Sequence, residues 1–225
     1  MPLRAAVFDF DGILVDSEPL HYRALHDALR TEDVTITEEE YRSSILAYDD
    51  RGAIRRALEM HDEAADPEKV ERLAGRKVSR FEELIPEVSL YPGASELVRA
   101  MAAEMPLAIA SGARREEVEA ILEGVGLRDA FVTVVGAADA PRTKPDPAPY
   151  LEAVRRLAGK GNGLAPAECV ALEDTGPGIA SALAAGLTVV GVAHTYPAEK
   201  LQAASRVVDS LVGVGVDDLR GLFGD

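Results

Sequence analysis

The sequence predicts an α/β fold, a parallel sheet with helices on both faces, interrupted after its first strand by a block that is helical throughout. Three observations carry this expectation. Short apolar runs alternate with helical segments from about residue 90 onward, the pattern of repeated βα units. Between Asp16 and Ile85 the spacing is helical, with no intervening strand signal. Reactive polar residues collect just after the apolar runs, where open α/β sheets place their ligand crevice.

Along the chain, residues 4–9 read as the first strand. "DSEPLHYRALHDALR" offers an N-cap candidate and then helical spacing at Leu20, Ala24, Ala28 and Leu29. "TEEEYRSSILA" opens with a capping box from Thr37 to Glu40. "DPEKVERLAGRKVSRFEELI" has Asp66 as cap and Pro67 at the first helical position. "LYPGASELVRAMAAE" begins the alternation. "PLAIAS", "FVTVVG" and "ECVALED" read as strands, followed by the helices "REEVEAILEGVG", "APYLEAVRRLAG" and "GIASALAAG". "LTVVGVA" precedes a short C-terminal helical region, and "GKGNG", residues 159–163, reads as a flexible loop without evident chemistry. Residues 1–15 and 90–225 are therefore expected to form a Rossmann-like core, and residues 16–89 an inserted all-helical cap.

At 225 residues the chain is long enough for a large core, and its 47% apolar and 28% charged residues suit a globular protein. The net charge of −15 argues against a nucleic-acid partner, which would need a basic stripe. Any attraction for an anion must come from a local positive patch. Cys169, the single cysteine, excludes a disulfide framework within the chain and a cysteine metal cluster. With no signal-peptide pattern and no apolar run of membrane-spanning length, a cytoplasmic protein with no membrane partner is expected, and it is taken as a monomer.

The polar residues fall at four strand ends. Asp9 and Asp11 end the first strand, Ser111 and Gly112 end "PLAIAS", Lys144 lies in "RTKPDPAP" after "FVTVVG", and Glu173 with Asp174 ends "CVALED". Asp9 and Asp11, two apart, project to one side. Together with Asp174 they make a set of hard oxygen ligands suited to Mg²⁺, and such a cation offsets the mutual repulsion of the carboxylates. Ser111 and the N–H groups around Gly112 can hold an anionic oxygen at a helix start. Lys144 adds a fixed positive charge, and Pro145 restrains the chain beside it. Carboxylates, a metal, a lysine and N–H donors describe phosphoryl transfer. Taken singly each residue is bland: a turn aspartate, an N-cap serine, a solvated lysine, and at Asp16 a cap or hinge residue rather than a ligand. Their joint placement is not.

"DFDGILVDSE", "IASGAR", "TKPDPAPY" and "LEDTGPGIASALAAG", in this order, resemble the haloacid dehalogenase-like phosphohydrolases over essentially the whole chain. Ile13 stands where many members have Thr. The resemblance implies that Asp9 is the nucleophile that forms an aspartyl-phosphate, and that Asp11 is the general acid and then the base. It also implies Mg²⁺ held by the Asp9 side chain, the Asp11 carbonyl and Asp174 with Glu173 close by, and phosphoryl oxygens held by Ser111, Gly112 and Lys144. Retention of Asp11 favours phosphate esters over the halide and phosphonate chemistries of related branches, which lack this second carboxylate.

Caps of this type select the substrate. At 100° per residue, His21 falls within the apolar stripe of its helix, Lys77 within the stripe of Val70, Leu73, Phe81 and Leu84, and Arg51 at the edge of the next one. Each alone reads as a core histidine or a snorkelling cation; together they suggest a cleft lining. All three resemble positions of the β-phosphoglucomutase-like branch, and Arg114 is a further candidate for a second substrate anion. His26, His61 and His194 form no metal-spaced pair. The expected activity is a Mg²⁺-dependent phosphatase acting on a small phosphorylated metabolite of the sugar-phosphate class. A phosphomutase shares every core residue, and a non-enzymatic phosphoacceptor switch would need neither the cap nor Asp11.

Overall fold

The computed structural model describes residues 2–46, 48–159 and 163–224. The chain opens with β1 (Ala5–Phe8) and the short β2 (Val15–Asp16). Four helices follow: α1 (Glu18–Arg30), α2 (Glu38–Glu40), α3 (Asp50–Met60) and α4 (Pro67–Leu84). Then come β3 (Ser89–Leu90), α5 (Ala94–Ala102), β4 (Leu107–Ala110), α6 (Arg115–Gly124), β5 (Phe131–Val135) and α7 (Ala148–Ala158). The order closes with β6 (Cys169–Glu173), α8 (Gly176–Ala184), β7 (Thr188–Val192), β8 (Arg206–Val208) and α9 (Val216–Arg220).

The chain divides into two compact units, residues 1–16 with 89–225 and residues 17–88. The first holds a six-stranded sheet of order β5-β4-β1-β6-β7-β8, parallel throughout. Every residue of β1, β4 and β6 is buried, which explains why these strands read as unbroken apolar runs instead of alternating ones. On one face Val7, Ala108, Ala110 and Ala171 pack against Tyr150, Val154 and Leu157 of α7 and Ile179 and Ala182 of α8. The small strand residues let these helices approach closely.

The all-helical unit is built as its caps dictate. Asp66 accepts from the N–H of Lys69 at the start of α4 (2.9 Å), beside Pro67. Thr37 and Glu40 exchange both bonds of a capping box. The helix they open is short, however. After three residues it passes into a π-helical stretch, Tyr41–Ile45, so the single helix expected over "TEEEYRSSILA" is two local geometries. Leu25, Leu29, Ile36, Ile54, Leu58, Val70 and Leu73 form this unit's own core.

Two differences from the sequence reading concern strands. The C-terminal region expected to be helical contains β8, which pairs with β7 through Val190–Arg206 to Val192–Val208 and adds a sixth strand. Three residues are too few to show a period, so only the partner strand reveals it. Likewise β2 and β3 are two residues each and pair antiparallel, Val15 with Leu90 and Asp16 with Ser89. Asp16 is thus a strand residue at the edge of the first unit. Of the glycine-rich segment 159–163, residues 160–162 lie outside the described residues. Among the described residues no helix is long and apolar enough to cross a membrane.

Candidate active site

Parallel strands β4, β1 and β6 lie side by side, so their C-terminal ends open on one edge. Asp9 follows β1, Ser111 follows β4, and Glu173 and Asp174 close β6. Lys144 reaches the same edge from the segment between β5 and α7, where the Lys144–Pro145 peptide bond is cis.

Lys144 Nζ donates to Asp9 Oδ1 at 2.7 Å and to Glu173 Oε1 at 2.6 Å. Burial works against its charge, yet these two carboxylates hold it above the ordinary lysine value. The Tyr150 hydroxyl, wholly buried, donates to the same Glu173 Oε1 at 2.9 Å. The other Glu173 oxygen accepts from the N–H groups of Asp174 and Thr175 and from the Thr175 hydroxyl. Both oxygens of Glu173 are therefore occupied, and its principal contact with the site is through Lys144.

Asp174 differs. Its Oδ1 is buried with no hydrogen-bond partner, an expensive condition for a carboxylate oxygen. One ligand oxygen from each of Asp9, Glu173 and Asp174 lies within 4.8 Å of the others. Burial pushes Asp9 well up from the usual carboxylate range, with Glu173 and Asp174 adding to the rise and Lys144 opposing it. Burial likewise raises Asp174 to about 6, against a hydrogen bond from Thr195 and with Glu173 adding to the rise. Oxygen donors of this hardness, one of them orphaned, fit a divalent cation such as Mg²⁺. The fit rests on Asp174 and Asp9 more than on Glu173.

Two glycines make the arrangement possible. Gly12 has φ +80°, and a Cβ there would run into the Asp174 carboxylate. A Cβ on Gly178, in the first turn of α8, would occupy the Glu173 carboxyl group. Asp11 is half-buried and bridges Val15 through the turn that Gly12 forms.

Ser111, Gly112 and Lys144 line one cavity of about 150 Å³ together with Gly136, Arg142 and Thr143. The Ser111 hydroxyl accepts the N–H of Ala113 at 2.9 Å, which leaves its own proton for a ligand. Gly112 faces open space, so nothing blocks approach to its backbone. Arg114 is not among these lining residues; it is exposed at the start of α6, 3.7 Å from Glu117.

In the helical unit the structure brings His21 and Lys77 together, with Lys77 Nζ 2.9 Å from His21 Nδ1 and 2.7 Å from Asp50 Oδ1. Arg51 is not with them. It is exposed and pairs with Glu71 (2.8 Å), and its neighbour Asp50 meets Lys77 instead. The residues unforeseen from sequence are Tyr150, Thr195, Glu18, Tyr41 and Asp50. Tyr150 ends the quoted "TKPDPAPY", and a polar-tipped aromatic so close to Lys144 was its available signal. Glu18 likewise ends the quoted "DFDGILVDSE", whereas Tyr41 and Asp50 come from other segments and carry no such signal.

The family model for haloacid dehalogenase-like hydrolases matches residues 3–186. Hexitol phosphatase B of Escherichia coli (strain K12) is 33% identical over 227 residues, covering 96% of this chain and 96% of its own length. Protein CbbY of Rhodobacter capsulatus is 33% identical over 204 residues, covering 87% of this chain and 88% of its own length. The crystal structure of a CbbY variant from Rhodobacter sphaeroides in complex with xylulose-(1,5)bisphosphate has a TM-score of 0.80 at 28% identity, covering 97% of this chain and 99% of that one.

Proposed function

The chain belongs to the haloacid dehalogenase-like hydrolases and is a phosphoric monoester hydrolase, and from that premise we propose a Mg²⁺-dependent phosphatase of a small sugar-phosphate-like metabolite that works through an aspartyl-phosphate. One observation carries the reading: Asp9, Glu173 and Asp174 converge while Lys144 ties Asp9 to Glu173. A carboxylate so held is aimed, and the Lys144 ammonium favours its ionised form, the one a nucleophile needs, against the rise that burial imposes.

The substrate's phosphoryl oxygens lie against Lys144, the Ser111 hydroxyl and the backbone at Gly112, which position phosphorus in front of Asp9. An Asp9 carboxylate oxygen forms a bond to phosphorus as the ester P–O bond breaks. Asp11 gives its proton to the departing alkoxide, so an alcohol leaves. The resulting Asp11 carboxylate then takes a proton from water, whose oxygen attacks phosphorus. The P–O bond to Asp9 breaks, inorganic phosphate departs, and both aspartates return to their starting states. When bound by the Asp9 and Asp174 side chains, with the Asp11 carbonyl and Glu173 as further oxygens, Mg²⁺ supplies positive charge against the phosphoryl oxygens. The helical unit, residues 17–88, is read as the substrate-selecting cap.

The test is phosphate release across sugar phosphates, short acid phosphates and nucleotides, with and without Mg²⁺. Asp9→Asn is expected to lower turnover by at least ~10³-fold, the scale on which covalent nucleophiles matter, with the thermal midpoint essentially retained. Substantial residual turnover in that variant would remove Asp9 from its role. Conversion of β-glucose 1-phosphate to glucose 6-phosphate without phosphate release would instead favour a mutase.

A further inference from the structure

The turn from Phe10 to Val15, which carries Asp11, is held from three sides, all within the first compact unit. Inside the turn, the Phe10 carbonyl accepts from the N–H groups of Ile13, Leu14 and Val15, and the Gly12 N–H donates to the Val15 carbonyl. From outside, the Tyr91 N–H donates to the Leu14 carbonyl at 2.9 Å. The Gly12 carbonyl finds its partner 182 residues away, in His194 just beyond the end of β7, whose Nδ1 lies 2.9 Å from it. A carbonyl only accepts, so His194 carries a proton on Nδ1 and donates it there. The imidazole is in turn stacked on the Tyr91 ring, with centroids 4.0 Å apart and planes 14° from parallel.

Gly12 is where such an outside hold matters. At φ +80° and without a side chain it has the widest conformational range in the turn, and Asp11 is bonded directly to it. Its Cα also packs against the Asp174 carboxylate, where a Cβ would come within 1.9 Å of Oδ2. A change at the Gly12 peptide therefore moves Asp11 relative to Asp9 and Asp174. Among the described residues no backbone N–H reaches the Gly12 carbonyl, so the His194 imidazole fixes the plane of the peptide that follows Gly12.

We infer that His194 is a positioning residue for the reaction: donating to the Gly12 carbonyl and braced by Tyr91, it sets the place from which Asp11 delivers its proton to the departing alkoxide. The inference rests on the phosphatase reading above, in which Asp11 is the acid. It extends that reading to a histidine that acts through the backbone.

The experiment measures, for the full chain with Mg²⁺, the ratio of kcat/KM for p-nitrophenyl phosphate to that for phenyl phosphate. Phenolate is the more basic leaving group and needs the acid, whereas p-nitrophenolate departs readily without it. His194→Phe keeps a ring on Tyr91 and removes the donor, so the ratio should rise about 10-fold or more. His194→Ala removes both and should do the same. His194→Asn offers an amide N–H in place of Nδ1–H and should hold the ratio within about twofold of the unaltered protein. An equal loss on both esters in the Phe and Ala variants marks a structural histidine and overturns the inference. So does a ratio that rises in His194→Asn as far as in His194→Ala. Nitrogen NMR of the unaltered protein gives a readout without turnover: the His194 ring should show a protonated Nδ1, and a bare Nδ1 at neutral pH overturns the inference. Asp11→Asn separates the two readings. If the ratio rises there and stays unchanged in the His194 variants, the inference falls and the phosphatase reading stands. If it does not rise there, Asp11 loses its acid role and the inference falls with it.

Discussion

Glu173 shows how much one side chain can organise. Its carboxylate accepts from Lys144, Tyr150, Thr175 and two backbone N–H groups, so the position of Lys144 depends on contacts that never touch a substrate. Tyr150→Phe removes one of these donors and keeps the ring in the core. A cost of about 1 kcal/mol in stability is expected for the lost hydrogen bond. Because Lys144 would be less firmly placed, inhibition by orthophosphate should weaken about threefold or more. A lower thermal midpoint with unchanged orthophosphate inhibition would make Tyr150 a packing residue only. The residue scale also separates two kinds of foresight. Asp9, Ser111, Lys144, Glu173 and Asp174 announce themselves as reactive types at strand ends. Arg51 does not keep the company its helical angle suggested, because an angle fixes the face and leaves the partner, here Glu71, undetermined.

At the scale of elements, α1, α3 and α4 are joined through the His21–Lys77–Asp50 contact, and that contact makes the helical unit sensitive to acid. In the unfolded chain histidine takes up a proton near 6.5, whereas folded His21 does so only near 3. Between those values the unfolded state binds the extra proton, so stability must fall as the pH drops through the window. Urea midpoints at pH 7.5 and 4.5 should therefore fall further in the native sequence than in His21→Gln. An equal fall in both would exclude His21 as the source. The strands behave differently from the helices in how they are encoded. Four- and five-residue apolar runs such as Leu107–Ala110 were readable because the sheet buries them on both faces. The pairs Val15–Asp16 and Ser89–Leu90 were not, since two residues carry no pattern and exist as strands only through each other.

For the whole molecule, the cation is expected to bear on folding as well as on chemistry. The orphaned Asp174 oxygen and the raised Asp9 and Asp174 are costs of the folded state that a cation bound there, Mg²⁺ in the proposal above, would relieve. At Mg²⁺ about 100-fold above its dissociation constant, linkage gives about 2.7 kcal/mol. For a chain of this size that corresponds to a rise in thermal midpoint of roughly 5–10 °C. Asp174→Asn should abolish the rise, and a midpoint indifferent to Mg²⁺ in the unaltered protein would remove the ion from this cluster. The sequence by itself determined the α/β class, the helical insertion and the strand-end residues of the site. Apolar run length, cap residues and the rule that parallel strands share one open edge are all local or topological, and all are written along the chain. Only the tertiary structure decided which oxygen of Asp174 goes unpartnered, that Glu173, itself held by Tyr150, anchors Lys144, and that Asp50 takes the place beside Lys77. Those outcomes depend on distances between segments far apart in sequence, and hydrogen bonding discriminates between them at a fraction of an ångström.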